Sequence, residues 1–180
     1  MQYFLDKKRA IPAAAGFAVF VFISYFVITR DTLAFDNVIC SYLYGLRTPA
    51  LTAVLTPITY LGSWQTITSL CLLFLLLPRT RLRAGLTVTA AAILASLIQK
   101  ALKVSFHRAR PDLALHLISQ GGFSFPSGHS FTVLIFYGML VYLSRKHIKN
   151  RAAANAVTVI LIRLIATIGF SRIYLGVHYP

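Results

Sequence analysis

The stretch that decides the fold is GGFSFPSGHSFTVLIFYGMLVYL, Gly121–Leu143. Its polar PSGH cluster, residues 126–129, stands at the start of an apolar run long enough to cross a membrane. A Pro-Ser pair commonly opens a helix, because the serine side chain can accept a hydrogen bond from a free amide of the first turn. The pattern predicts a membrane helix over about 127–144, with polar residues at its N-terminus.

The composition of the whole chain is typical of a polytopic membrane protein. Of its 180 residues, 57% are hydrophobic and 12% are charged, and the mean hydropathy is +0.72. This is too apolar for a soluble domain of this length. The net charge of +14 would also suit nucleic-acid binding. In an apolar chain, however, basic residues more often mark cytoplasmic loops, so we expect no nucleic-acid partner.

Five apolar segments are predicted to span the membrane. The mixed segment 30–48 is predicted to form short amphipathic helices at the outer interface. No repeat, linker or soluble domain is apparent, so residues 1–180 are predicted to form a single membrane-embedded domain of the all-α class, a polytopic helical bundle. The predicted spans are residues 10–29, 63–77, about 84–102, about 127–144 and about 152–170.

The distribution of basic residues predicts the orientation. The N-terminus (Lys7, Lys8, Arg9) and the loops PRTRLR and SRKHIKNR hold three, three and four Lys or Arg residues. All three fall on one side if the spans alternate, and that side should be the cytoplasm. The protein is therefore predicted in the cell membrane, with its N-terminus inside and its polar segments outside.

One cation lies inside a predicted span. Arg163 would sit within the hydrocarbon, where an arginine costs about 2.5–3.5 kcal/mol on insertion scales. It either faces the bundle and braces a polar site, or it snorkels or pairs with a carbonyl. We favour the second interpretation.

Basic groups collect at the predicted outer ends of three spans. The third span ends in KVSFHRARP, which places Lys103 about two helical turns before Arg110 if the helix continues. The fifth ends in SRIYLGVH, with Arg172 six residues before His178. Two or three cations at one membrane face can converge on a single anion.

The PSGH cluster adds a helix N-terminus to these cations. Ser127 is a natural N-cap, and the free amides of Gly128 and His129 point out of the helix, where they can bind phosphate. Gly128 also allows a ligand to approach the backbone closely. His107, His116 and His147, in contrast, are interpreted as ordinary loop histidines.

This combination favours phosphoryl transfer. Charge on the phosphate oxygens calls for Arg or Lys and for preorganised amide donors. One neutral imidazole can attack phosphorus, while a second, protonated imidazole gives a proton to the leaving group. No metal or other cofactor is predicted, because the only carboxylates are four aspartates, Asp6, Asp31, Asp36 and Asp112. Nor do Cys40 and Cys71 have metal-site or disulfide spacing.

The three segments resemble the signatures of the type 2 phosphatidic acid phosphatase superfamily of lipid phosphate phosphatases. The resemblance is close over residues 103–180. It implies that His178 is the nucleophile that forms a phosphohistidine and that His129 is the general acid. It also implies that the phosphate is held by a basic and polar set: Lys103, Arg110, Ser127, Gly128 and Arg172.

The family pattern continues beyond this sequence. Its third signature has an Asp four residues after the histidine, which orients the nucleophile, and a sixth span follows. The sequence ends at Pro180, so we expect a chain truncated before the last span, with His178 lacking its partner.

The resemblance implies a metal-independent membrane phosphatase acting on a lipid phosphate at the outer face. Phosphatidylglycerol phosphate is the first candidate substrate. Undecaprenyl pyrophosphate and a broad phosphatidic acid activity are alternatives. A non-catalytic transporter that binds lipid phosphates is an alternative of another class. No protein partner is predicted, only the lipid substrate and the surrounding membrane lipid.

Overall fold

The structure is a computed structural model that describes residues 7–30 and 34–180. Over these residues the chain is helical and contains no strand, which confirms the predicted all-α class. A helical turn (Pro78–Thr80) and a π-helical turn (Arg81–Gly85) precede α5, and a 3₁₀ turn (Leu113–Leu115) precedes α6. The longer helices are α1 (Lys7–Arg30), α2 (Ala34–Gly45), α3 (Pro49–Tyr60), α4 (Trp64–Leu76), α5 (Leu86–Phe106), α6 (Gly128–His147) and α7 (Arg151–Tyr174).

Each of the five predicted spans overlaps with one helix, namely α1, α4, α5, α6 or α7. Within the described ranges, α5 and α7 are each long and apolar enough to cross a membrane. Two bent pairs of helices also qualify if each pair forms one span, which gives up to four spans. One such pair is α3 and α4, which meet at an angle of 47°. Because α4 has only 13 residues, about 20 Å at 1.5 Å per residue, it needs α3 to complete a crossing.

The outer surfaces of the long helices are apolar. Of the 18-residue apolar segment of α5, only 22% is buried inside the structure, and of the corresponding segment of α7 only 11% is buried. A surface of this kind is suited to lipid hydrocarbon, and the chain is a membrane protein. Arg163 is exposed on α7, so it does not brace the polar site. Large apolar side chains that face outward on these two helices include Ile93, Leu94, Leu97, Val159, Ile160 and Ile162.

Helix α6 lies at the centre of the bundle, against α5 and α7. The Tyr137 hydroxyl donates a hydrogen bond to the Leu61 carbonyl oxygen at 2.8 Å, which ties α6 to the bend between α3 and α4. At Gly62 in this bend, a Cβ atom would lie 2.9 Å from the Val133 side chain and 3.3 Å from the His129 ring. Glycine therefore lets the bend pack directly on α6. The buried core consists of Ile67, Cys71, Val88, Ala92, Val133, Phe136, Tyr137, Leu143 and Ile168.

The helix ends have local causes. Helix α6 starts after Ser127, whose Oγ accepts from the Ser130 amide at 3.3 Å, as the PSGH pattern predicts. Helix α5 ends at Phe106, because His107 adopts the left-handed conformation with φ 49°. The helix therefore does not continue to Arg110. The prediction that Lys103 and Arg110 lie two turns apart on one helix is wrong. Arg110 instead lies in the loop between α5 and α6.

The predicted interfacial segment is helical but not simply peripheral. Residues 31–33 lie outside the described part of the chain, and most of the remainder forms α2. Asp36 on α2 is 1% exposed and accepts a hydrogen bond from Arg108, which is 4% exposed. A buried carboxylate requires such a partner. Helix α2 is thus joined to the loop that follows α5.

Candidate active site

The three predicted polar segments converge at one end of the bundle. The deepest side chains are Arg172 at the end of α7 and His178 in the turn that follows, which are 1% and 3% exposed. The amides of Val177 and His178 both donate to the Arg172 carbonyl oxygen at 3.2 Å, so the turn folds back on the helix. Gly176 has φ +79°, and a Cβ atom there would clash with the Leu115 carbonyl oxygen. This turn therefore requires glycine.

Both ring nitrogens of His178 have partners. Nδ1 lies 2.7 Å from the Ser124 carbonyl oxygen, and Nε2 lies 3.0 Å from Nη1 of Arg110. Since a guanidinium can only donate, we assign Nε2 as the acceptor and place the proton on Nδ1. Among the described residues, the Ser124 carbonyl oxygen is the partner that orients the His178 ring through Nδ1. Nε2 then carries the lone pair that a nucleophile needs.

The surroundings of His178 keep its ring neutral. Burial is the largest cause that lowers the pKa of His178 well below its ordinary value, followed by the positive charges of Arg110, Arg172 and Lys103. The hydrogen bond to Ser124 acts in the opposite direction and is the smaller effect. Lys103 lies on the last turn of α5, so its charge acts on the same ring as those of the two arginines.

Arg110 makes a hydrogen bond with each of its five N–H donors. Nε donates to the Gly122 carbonyl oxygen at 2.8 Å, and Nη2 donates to those of Gly121 at 2.9 Å and Phe123 at 3.1 Å. Nη1 contacts the Val177 carbonyl oxygen as well as His178. A guanidinium has five such donors in a fixed plane. Arg110 therefore joins the loop before α6 to the turn that carries His178.

In Arg172, both terminal nitrogens have hydrogen-bond partners among the described residues, but Nε has none. Its Nη1 donates to Oγ1 of Thr59 at 3.1 Å, and its Nη2 donates to Oε1 of Gln120 at 2.6 Å. Its Nε is buried, and the described residues provide it with no acceptor. A buried donor without an acceptor is costly, and a phosphate oxygen is the kind of atom that would satisfy it.

The start of α6 is held in place from α5. Nε2 of Gln99 donates to the Pro126 carbonyl oxygen at 3.2 Å, and Gln99 is only 8% exposed. The Ser127 side chain accepts a hydrogen bond from the Ser130 amide. The Gly128 and His129 amides lie in the first turn of α6, where the helix itself offers them no acceptor. A Cβ atom at Gly128 would meet Gln99 only at an ordinary contact distance of 3.4 Å. Packing alone therefore does not require glycine there.

A cavity of about 690 Å³ lies beside this helix start. Gly128, His129 and Gln120 line one part of it, and apolar residues of α4 and α5, such as Leu72 and Leu97, line another. Its size and mixed lining are typical of a small-molecule site. Gln120 lines the cavity and accepts a hydrogen bond from Nη2 of Arg172, so the cavity adjoins that guanidinium.

The structure brings all the predicted site residues to this region and adds several that the sequence did not indicate. Ser124 lies in the stretch Gly121–Leu143, but nothing in its sequence context shows that its carbonyl oxygen accepts from His178. The sequence could have indicated Asp36, because a lone carboxylate in an apolar segment needs a partner. In the described residues, no group of three His, Cys, Asp or Glu side chains could hold a metal ion. The added residues are Asp36, Thr59, Gln99, Arg108, Gln120 and Ser124.

Comparison with known proteins identifies the family of this chain. A sequence profile of the PAP2 superfamily matches residues 82–180. The chain is 30% identical to phosphatidylglycerophosphatase B of Bacillus subtilis over 167 residues, which cover 91% of this chain and 81% of the relative. The crystal structure of a transmembrane PAP2-type phosphatidylglycerolphosphate phosphatase from Bacillus subtilis matches with a TM-score of 0.82 and 29% identity, over 92% of this chain and 84% of that one. Aquifex aeolicus LpxE shares the fold, with a TM-score of 0.69, 23% identity and coverage of 84% and 87%.

The fold and these similarities together define a lipid phosphatase embedded in the membrane. The chain belongs to the PAP2 superfamily, as the match over residues 82–180 shows. This confirms the resemblance stated from the three polar segments.

Proposed function

We propose that this enzyme hydrolyses phosphatidylglycerol phosphate to phosphatidylglycerol and inorganic phosphate. The observation that carries the proposal is His178, a buried neutral imidazole with Nδ1 held by Ser124 and Nε2 directed at Arg110. A phosphate bound by the arginines would lie next to that nitrogen. The similarity to the Bacillus subtilis phosphatidylglycerophosphatase, in sequence and in structure, supports this choice of substrate.

The proposed first step is attack by Nε2 of His178 on phosphorus. The N–P bond forms while the bond from phosphorus to the glycerol oxygen breaks, and a protonated His129 gives its proton to that oxygen. Lys103, Arg110 and Arg172, with the amides at Gly128 and His129, stabilise the charge on the phosphoryl oxygens.

In the second step, water attacks the phosphohistidine. His129, now neutral, takes a proton from the water, the N–P bond breaks, and inorganic phosphate leaves. The sum of the two steps consumes one water and releases one alcohol and one phosphate. Neither step needs a metal ion.

The test is phosphate release by the purified protein in excess chelator from phosphatidylglycerol phosphate, phosphatidic acid and undecaprenyl pyrophosphate. We expect the first to be the best substrate. Activity that depends on added Mg²⁺ would contradict the metal-free mechanism, and preference for undecaprenyl pyrophosphate would identify the alternative substrate. Binding of all three without turnover would favour a transporter.

The nucleophile has a separate test. His178→Ala should abolish turnover and the acid-labile phosphoenzyme that a phosphohistidine forms. Arg172→Ala should lose turnover while the protein still inserts into the membrane. Substantial residual activity in the His178 variant would contradict its role.

We also propose that the site faces the outside of the cell. The ten Lys and Arg residues of the N-terminus and two loops support a cytoplasmic location for the opposite face. Cys40 and Cys71 are buried, so they give a low background for thiol labelling. Ser119→Cys, at an exposed position in the loop before α6, should react with a membrane-impermeant maleimide on intact cells. Lys149→Cys should react only after lysis, and the reverse pattern would invert the topology.

A further inference from the structure

The cavity beside α6 contains a cation that the proposed chemistry does not use. Lys100 lines the cavity together with Gly128 and His129. It precedes Lys103 by three residues on α5, so the two lysines share one side of the helix and lie about 4.5 Å apart along its axis. Among the described residues that line the cavity, Lys100 is the only Lys or Arg.

Lys100 lies further than Lys103 from the proposed position of the reacting phosphate. Lys103 lies in the last turn of α5, at the end of the bundle where His178 is buried. Lys100 is one turn deeper along the helix, where the cavity lining changes to apolar residues such as Ile93 and Leu97. His129, the proposed proton donor to the leaving oxygen, lines the cavity together with Lys100. A leaving group that extends from His129 into the cavity therefore reaches the Lys100 side chain before its hydrocarbon begins.

The surroundings of Lys100 suit a phosphodiester. Ser96, one turn further along α5, and Thr132 on α6 also line the cavity and offer hydroxyl donors. The Lys100 side chain is exposed, so the anionic group of a lipid can reach its ammonium and form a charge-assisted hydrogen bond with it. The flexible stem of lysine lets its ammonium follow such an anion.

We propose that Lys100, with Ser96 and Thr132, forms a subsite for a second phosphate, one glycerol unit away from the phosphate that is removed. This inference rests on the proposed function and explains how the site selects its substrate. Phosphatidylglycerol phosphate has such a phosphodiester between the terminal glycerol and its acyl chains. Phosphatidic acid has none, because its only phosphate is the one removed. Lys100 is thus a specificity-determining residue.

The test compares the two lipids, with identical acyl chains, in mixed micelles. Lys100→Gln should lower kcat/KM for phosphatidylglycerol phosphate about tenfold, mainly by raising KM, as expected for the loss of one charge-assisted hydrogen bond. Its kcat/KM for phosphatidic acid should stay within about twofold of the wild-type value. Lys100→Arg should keep most of the preference. Lys149→Gln, which removes an exposed charge far from the cavity lining, should leave both substrates unchanged.

A second measurement uses the product. Phosphatidylglycerol retains the phosphodiester, so it should inhibit hydrolysis of phosphatidic acid, and Lys100→Gln should weaken that inhibition about tenfold. Equal losses on both substrates, or no loss on either, would overturn the subsite but leave the phosphatase activity intact. Failure of the wild-type protein to release phosphate from either lipid would instead overturn the proposed function, and the subsite with it.

Discussion

Arg172 depends on two residues that come from distant parts of the chain. Thr59 precedes it by 113 residues and Gln120 by 52, and both accept hydrogen bonds from its guanidinium. These contacts fix the plane of the guanidinium, so its open Nε points in a defined direction. The sequence indicated Arg172 by its motif, but it could not indicate Thr59, because a threonine in an apolar helix has no pattern that distinguishes it.

Thr59→Val should lower kcat/KM while leaving the fold intact. Valine has nearly the same shape but cannot accept the Arg172 hydrogen bond, which costs about 1–2 kcal/mol, or about 5–30-fold. Thr59→Ser should keep most of the activity. Steady-state kinetics of the two variants checks the prediction, and an equal loss in both would contradict a role for the hydroxyl.

At the scale of elements, the loop between α5 and α6 is the least predictable part and the most important. The sequence predicted the start of α6 well, because Ser127 is a recognisable cap. It did not show that α5 stops at Phe106, since nothing in KVSFHRARP marks His107 as a left-handed residue. The loop then reaches α2 through the ion pair of Arg108 with Asp36. Such long-range pairs depend on tertiary packing and have no local signature.

Asp36→Asn should destabilise the protein strongly. Breaking a buried ion pair by removing one partner leaves a buried charge and typically costs about 3–5 kcal/mol. The double variant Asp36→Asn with Arg108→Met should recover part of that loss, because no buried charge remains. Thermal unfolding in detergent measures both. Additive losses in the double variant would contradict the coupling of these two side chains.

At the scale of the whole molecule, positive charge dominates the site end of the bundle. Of the four carboxylates, Asp36 is already paired with Arg108, and Asp112 caps the 3₁₀ turn by accepting from the Ala114 amide. The sequence predicted this imbalance from composition alone. It could not predict that the basic groups lie around a buried neutral histidine, because burial arises only when distant helices pack together.

The stability of the whole chain should therefore depend on pH through His178. Its pKa is well below the ordinary value in the folded state, whereas the unfolded chain binds this proton below about pH 6.5. The free energy of unfolding should accordingly fall as the pH decreases below about 6.5, and His178 should have no effect on it above that range. Thermal unfolding from pH 8 to pH 5 should show a shallower decline for His178→Gln. Parallel curves for the two proteins would contradict the prediction.

The five hydrogen bonds of Arg110 have a kinetic consequence. In the resting protein, each N–H of this guanidinium already has an acceptor, so a phosphate oxygen can bind only by displacing a carbonyl or the histidine ring. Each encounter then includes a rearrangement of residues 121–123 or of the turn at 177–178. Association with an anion should be slower than diffusion allows, and the rate-limiting motion should belong to the protein and not to the ligand.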